Sequence, residues 1–341
     1  MRFYKLRINP LIKNIRSKAA KTDNIWQEAA LEENKTYNES DPKYVAHYSN
    51  LKVVDIMIMK DPAITTDLPK LRYSNAVFMN DPDEGQTLID CLDNMEKTDA
   101  APGQIKEAFR SVLKEEKNNF YLGSFLPEIQ GHDDELLMWR TYGKDEHQQE
   151  AAGCCMILNV NFFDKADGGN ITLGKDKASA AVHPLYKVLY YNQRKNQFEG
   201  DNASQLKEEV KKLKEALKDL LKLKEDTIFI KIKDFDKAIN RVVYHTLSEL
   251  RYFFKSSDYA YENELRVIQF ATDRVVVKVD NETSTLPRKL YIESTKEIKP
   301  YLKKIVLGPM VPHPERWLYL EKKMNDEGHT FEMKHSECRF Q

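Results

Sequence analysis

From Tyr44 onward, short aromatic and β-branched runs alternate with helical stretches at no fixed interval. This irregular interleaving restricts the fold more than any other feature of the chain. YVAHYS at 44–49, NNFYLGSF at 118–125, GCCMILNV at 153–160, LYKVLYYN at 185–192, ELRVIQF at 264–270, VVVKV at 275–279, RKLYIE at 288–293 and KKIVLGPM at 303–310 read as strands. LKVVDIMIMK at 51–60 and QIKEAFRSVLKEE at 104–116 have helical spacing. Near the end, PHPERWLYLEKKMNDEG at 312–328 reads as a helix with Pro314 suited to its first position and Gly328 as its stop, followed by a last strand in TFEMKHSE. Strands and helices without a repeating βαβ unit indicate an α+β fold. The expected organisation is a single mixed core over 44–341, preceded by a basic and polar segment at 1–43 and interrupted by a helical insert at 203–254.

The insert opens with SQLKEEVKKLKEALKDLLKLKED. Leu206, Val210, Leu213, Leu217 and Leu220 recur with spacings of four and three, a seam of about two heptads. Such a seam is too short to specify a coiled-coil dimer, so the insert is read as one arm of a helical hairpin packed on FDKAINRVVYHTLSELRYFF at 235–254, where 204–226 offers a partner contact. At the other end, MRFYKLRINPLIKNIRSKAAK carries seven basic residues from Arg2 to Lys21 before any acid. The expectation there is a solvated helix or frayed tail broken at Pro10, with contact to an anionic surface as the alternative.

Charge excludes several classes of function. The 53 Lys and Arg residues nearly cancel the 54 Asp and Glu residues, so no chain-wide field draws in nucleic acid. A mean hydropathy of −0.64 and the lack of a membrane-length apolar run argue for a soluble protein. Cys91, Cys154, Cys155 and Cys338 form no CxxC pair, and Cys154 and Cys155 on one strand point to opposite faces. A reducing compartment follows: the cytoplasm, or the cytosol of a host or target cell reached without a classical signal peptide. There is no GxGxxG, P-loop, HExxH or GxSxG motif. His335-x-x-Cys338 lacks a second ligand pair nearby, so no metal is expected.

The chemistry-bearing segment is Tyr259-Ala260-Tyr261-Glu262-Asn263-Glu264-Leu265-Arg266. On extended chain, Glu262 and Glu264 would project to one side of a sheet, with Arg266 continuing the alternation as their counter-cation. A solvated ladder of the same residues on a strand edge is the plain alternative. Motif order adds weight. His47-Tyr48-Ser49 opens the first core strand; Asn80-Asp81-Pro82-Asp83-Glu84, Leu137-Met138-Trp139-Arg140-Thr141-Tyr142, Gly153, Lys255, the Glu-x-Glu-x-Arg segment and Leu307-Gly308 follow. This succession, over about residues 44–338, resembles the bacterial family of domain of unknown function 2971.

A first strand bearing His47, a middle strand with Ser124 and a late Glu262-Asn263-Glu264 are in addition similar to the ADP-ribosyltransferase layout. That resemblance implies a split mixed β-sheet core with peripheral helices and NAD as substrate. It also implies roles. Glu264 would hold the nicotinamide ribose and stabilise the oxocarbenium-like state, and Glu262 would orient or deprotonate the nucleophile. His47 would bind the adenosine-side ribose or a phosphate, with Ser124 in the nicotinamide pocket and Tyr48 or Tyr142 stacking on nicotinamide. Arg140 with Glu84, and Arg266, would clamp the cofactor, with Asn80, Asp81 and Trp139 as further motif residues. The expected function is NAD-dependent ADP-ribosyl transfer to an unidentified protein or nucleic-acid acceptor, in a toxin, effector or defence role. The alternative is a non-catalytic binding or sensing module of the same fold, with a place in phage defence.

Overall fold

The computed structural model describes residues 7–19, 44–58, 70–79, 81, 83–95, 103–114, 118–128, 135–145, 147–164, 183–200, 202–225, 234–272, 277–279, 289–326, 328 and 332–340. Its helices are α1 (Asn9–Ala19), α2 (Leu51–Ile58), α3 (Thr87–Asn94), α4 (Gln104–Leu113), α5 (Leu136–Thr141), α6 (Ala203–Lys222), α7 (Phe235–Leu250) and α8 (Leu318–Asp326). The strands are β1 (Tyr44–Ser49), β2 (Lys70–Asn75), β3 (Phe120–Glu128), β4 (Cys154–Asn159), β5 (Leu185–Lys187), β6 (Leu189–Asn192) and β7 (Gln197–Phe198). They continue with β8 (Phe254–Ser256), β9 (Leu265–Phe270), β10 (Lys278–Val279), β11 (Leu290–Glu297), β12 (Leu302–Leu307) and β13 (Glu332–His335). The fold is α+β. A 10-stranded sheet follows the order β10-β11-β2-β3-β1-β4-β12-β13, with β9 on β3 and β5 on β9. Its pairs are antiparallel except β12 with β13. A 3-stranded sheet, β7-β6-β8, stands apart.

Strand β3 is the junction. The Ala271 N–H donates to the Asn119 carbonyl, so by antiparallel alternation residues 121, 123 and 125 bond to β9 while 122, 124 and 126 turn their backbone groups to the other edge. Two strands share that other edge: β2 pairs at Tyr121 and Leu122, and β1 pairs at Leu126, Pro127 and Glu128. Between them β1 and β2 diverge, and the backbone around Ser124 meets neither ladder.

Helices cover one end of the sheet. Phe120, Leu122 and Ile268 pack into a core built from α1, α3, α4, α6 and α7, in which Leu206, Val210, Leu213, Leu217 and Leu220 are all buried. Each such leucine contributes roughly 1.5–3 kcal/mol by leaving water. The seam of α6 thus serves the chain's own core. It packs against α1 and α4 as well as α7, and its outward face is left to residues such as Lys207, Glu208 and Lys211. The N-terminal helix is neither frayed nor broken: Pro10 sits in its first turn, where a missing N–H costs nothing, and Ile8, Ile12, Ile15 and Ala19 dock on the helical core. Its cations meet this chain's acids, Arg7 on Asp219 at 3.0 Å and Arg16 on the buried Glu249.

The second face of the sheet carries alternate residues such as Leu71, Tyr73, Tyr121, Phe125, Leu265 and Val267. Cys154 joins this cluster while Cys155 joins a third, around Trp139 and Ala46, as strand alternation requires. The apolar run at 185–192 is two strands, not one: β5 joins the large sheet and β6 the small one, and the change occurs at Val188.

His183 ties β5's entry to β11. Its backbone N–H donates to Asp164 Oδ2 at 2.6 Å, and its Nε2 accepts from the Thr295 N–H at 3.0 Å. Burial lowers its pKa from 6.5 to about 4, against the opposing pull of Asp164. A histidine held neutral in the native state stabilises fully above 6.5 and loses that contribution as pH falls toward 4. We expect urea unfolding to show a loss on the order of 3 kcal/mol across this window. His183→Asn should be less stable than wild type at pH 7.5 but should lose less on going to pH 4.5; parallel losses would refute the assignment.

Candidate ligand-binding cleft

Where the helical layer ends, the gap between β1 and β2 opens into a cleft of about 440 Å³ with β3 as its floor. Concave sites of this size hold small ligands. His47, Tyr48, Ser124, Tyr142, Asp81, Glu84, Glu262, Glu264 and Arg266 all line it. The structure therefore gathers nine of the twelve residues singled out above.

Charged side chains pack its buried end. Arg266 is 1% exposed, and Glu264 and Glu262 are 2% and 4% exposed. A guanidinium removed from water needs carboxylates around it. Arg266 donates from Nε and Nη2 to the two Glu264 oxygens at 2.8 and 2.9 Å, and from Nη1 and Nη2 to the two Glu84 oxygens at 2.7 and 3.2 Å. Lys255 donates to Glu262 at 2.7 Å and to Glu264 at 3.1 Å. The Tyr142 hydroxyl donates to the other Glu262 oxygen at 2.6 Å. Burial alone would raise Glu264, but Arg266 and Lys255 offset it and hold the carboxyl below its usual range. Burial would likewise lower Lys255, yet Glu264 and Glu262 keep its pKa above that of a free lysine. At Glu84 burial prevails and the carboxyl is pushed up in spite of Arg266.

The two glutamates do not converge by strand alternation. Glu262 ends a 3₁₀ turn (Ser257–Glu262), Asn263 takes a left-handed conformation with φ 44°, and only then does β9 begin. Asparagine tolerates that region better than most residues. The turn brings both carboxylates onto one ammonium, and strand alternation operates only from Glu264 to Arg266.

Acceptor capacity separates the pair. A carboxylate offers about four lone-pair sites. Among the described residues Glu264 receives two bonds from Arg266 and one from Lys255. Among the same residues Glu262 receives those from Lys255 and Tyr142. Glu262 is thus the carboxylate with more acceptor sites to spare.

His47 meets the backbone that the two ladders leave out. Its Nδ1 lies 2.9 Å from the Ser124 carbonyl. A carbonyl only accepts, so Nδ1 carries the proton. Burial lowers the imidazole pKa, with the Ser124 bond opposing. The neutral ring then keeps an unprotonated Nε2, an acceptor. That suits a hydroxyl and not a phosphate, which needs donors.

Two expected residues stand elsewhere. Trp139 is fully buried under Tyr48, edge-on at 4.9 Å, and serves packing. Arg140, one residue further along α5 and therefore about 100° around the helix, is exposed beside the Phe340 ring at 5.3 Å and does not line the cleft. It forms no clamp with Glu84, whose cation is Arg266. Asn80 lies outside the described residues. Asp81 both lines the cleft and closes the turn before α3, accepting from the Asp83 N–H at 2.8 Å. Gly153 and Gly308 are packing requirements: a Cβ at Gly308 would come within 2.2 Å of the Ala151 carbonyl, and one at Gly153 within 2.4 Å of the Ser49 carbonyl at the cleft mouth.

Lys255 is the site residue that motif order alone undervalued. The sequence signal was a lysine embedded in the apolar, aromatic run Arg251-Tyr252-Phe253-Phe254-Lys255, a place where burial demands a partner. Tyr190, whose hydroxyl accepts from the Glu264 N–H at 2.8 Å, gave no such signal.

Residues 138–267 match a family model described as protein of unknown function (DUF2971). The match includes Tyr142, Lys255, Glu262, Glu264 and Arg266 and bears out the family reading for the motifs within that range, while His47, Glu84 and Gly308 lie outside it. No curated protein and no solved structure matches the chain. Among the described residues no helix is long and apolar enough to cross a membrane, and no group of His, Cys, Asp or Glu could hold a metal ion.

Arg266→Met leaves Glu84 and Glu264 without their shared cation. We expect a loss of about 3–5 kcal/mol in urea unfolding at pH 7. Adding Glu84→Gln should recover part of it, since the two positions are directly coupled. Additive losses would show that the pair is not the unit described.

Proposed function

Residues 138–267 match the DUF2971 family model, and on that premise we propose that the cleft binds NAD and transfers the ADP-ribosyl group to a macromolecular acceptor. One observation carries this reading: Glu262 and Glu264 share the Lys255 ammonium in the same cleft that holds His47 and Ser124. Three carboxylates, Glu84, Glu262 and Glu264, face two cations, Lys255 and Arg266, so the fully ionised cluster carries a surplus negative charge. Such a surplus favours a cationic nicotinamide riboside and, more strongly, the oxocarbenium-like state as its glycosidic bond breaks.

In this mechanism the bond between ribose C1′ and the nicotinamide nitrogen breaks, and its electron pair leaves with nicotinamide, which departs neutral. A lone pair of the acceptor nucleophile forms the new bond to C1′. The nucleophile's proton passes to Glu262, the carboxylate with spare acceptor sites, while His47 Nε2 accepts from a hydroxyl of the adenosine-side ribose. Glu264 is a positioning residue that fixes Lys255 and Arg266. Tyr48 and Tyr142 line the cleft where a nicotinamide ring needs an aromatic neighbour.

A second reading, a nucleotide-sensing module without turnover, is favoured by the commitment of Glu264 to Arg266 and Lys255, whose bonds are those of a structural ion pair. Labelled NAD incubated with the protein and a lysate separates the two. Transfer is expected, and Glu262→Gln should reduce it about 10²–10³-fold with unchanged melting temperature, while Glu264→Gln lowers the melting temperature. Saturable NAD binding without release of nicotinamide would establish the sensing module. Full turnover by Glu262→Gln would remove Glu262 from its assigned role.

A further inference from the structure

The wall of the cleft opposite His47 is basic. Lys70, Arg72 and Ser74 alternate along β2 and so face the same side, and Lys289 leads into β11 beside them; all four line the cleft. Register places Glu293 of β11 against Arg72, but its carboxylate is taken by Lys278 at 2.6 Å. The Arg72 guanidinium lies over the Tyr291 ring at 4.5 Å, which holds its plane while leaving N–H donors at its edge. Among the described residues no carboxylate makes an ion pair with Lys70, Arg72 or Lys289. The contrast with Lys255 and Arg266, each paired with two glutamates, is direct.

We propose that Lys70, Arg72, Ser74 and Lys289 form a subsite for the phosphate groups of a nucleoside diphosphate. Three like charges on one wall repel each other, and an anion with several acceptor oxygens relieves that repulsion while using the planar Arg72 edge and the Ser74 hydroxyl. The enclosure of the wall within a cleft of about 440 Å³ favours a small molecule over a polymer backbone. The cleft is then bipolar, cationic along β2 and anionic around Glu262. The inference rests on the NAD reading for the identity of the ligand that carries the diphosphate, but it uses different residues.

Calorimetric titration of the full chain with inorganic pyrophosphate and with ADP tests it. Both should bind saturably, ADP the more tightly. Arg72→Gln and Lys70→Gln should each weaken both by about tenfold or more, and Arg72→Lys by less than Arg72→Gln. The triple change Lys70→Gln, Arg72→Gln, Lys289→Gln should flatten the salt dependence, with an unaltered far-ultraviolet spectrum as the check on folding. Lys211→Gln, on the outward face of α6 and away from the cleft, should retain pyrophosphate affinity. Absence of saturable binding by the wild type, or equal binding by the folded triple variant, would overturn the proposal. Failure of the two readings is distinguishable. Charge-dependent pyrophosphate binding in a protein that never releases nicotinamide keeps the subsite and removes the transferase. NAD turnover with KM unmoved by the triple change does the reverse.

Discussion

The buried Arg266 guanidinium is the constraint around which the site is organised. A cation that cannot lose its proton and is withdrawn from water must be surrounded by acceptors, and these come from separate parts of the chain. Glu84 arrives from the turn before α3, Glu264 from the entry to β9, and the Tyr252 carbonyl from the turn after α7. One side chain thereby pins the helical layer to the sheet at the place where that layer stops. The cleft exists because the core ends there in charge instead of in packed aliphatic side chains.

The same logic extends outward through polar contacts of graded saturation. Among the described residues Glu264 accepts three bonds, Glu262 two, and His47 is engaged through one nitrogen. Commitment falls from the buried interior toward the opening, which separates groups that hold the architecture from groups with valence left for a ligand. Ser124 is the hinge of this gradient, its carbonyl engaged by His47 and its hydroxyl supporting Glu264.

Much of the fold was legible from local pattern. YVAHYS is β1 residue for residue, and Cys154 and Cys155 separate to opposite faces as a pleated strand demands. Local pattern failed where tertiary contacts decide. The basic N-terminal stretch looked solvated because its apolar residues, Ile8, Ile12 and Ile15, acquire meaning only against an α6 distant in sequence. LYKVLYYN is uniformly β-prone, and nothing local indicates that two sheets divide it. At the site, the residue types and their order located the cleft, but alternation misplaced the relation of Glu262 to Glu264 because the left-handed turn at Asn263 is invisible to a period of two. Arg140 and Trp139 were tied to their motif by adjacency, whereas a helix sends adjacent residues in different directions.

The sharing of one β3 edge by two strands has a mechanical consequence. In an uninterrupted sheet every rung is supplied by the chain, but here β1 and β2 hang from different lengths of the same strand with a span of backbone between them that neither supports. A molecule lodged in that span completes the layer. It would lock the two strands against splaying, so that occupancy is felt as slower amide exchange along β1 and β2, even at positions the bound molecule never touches.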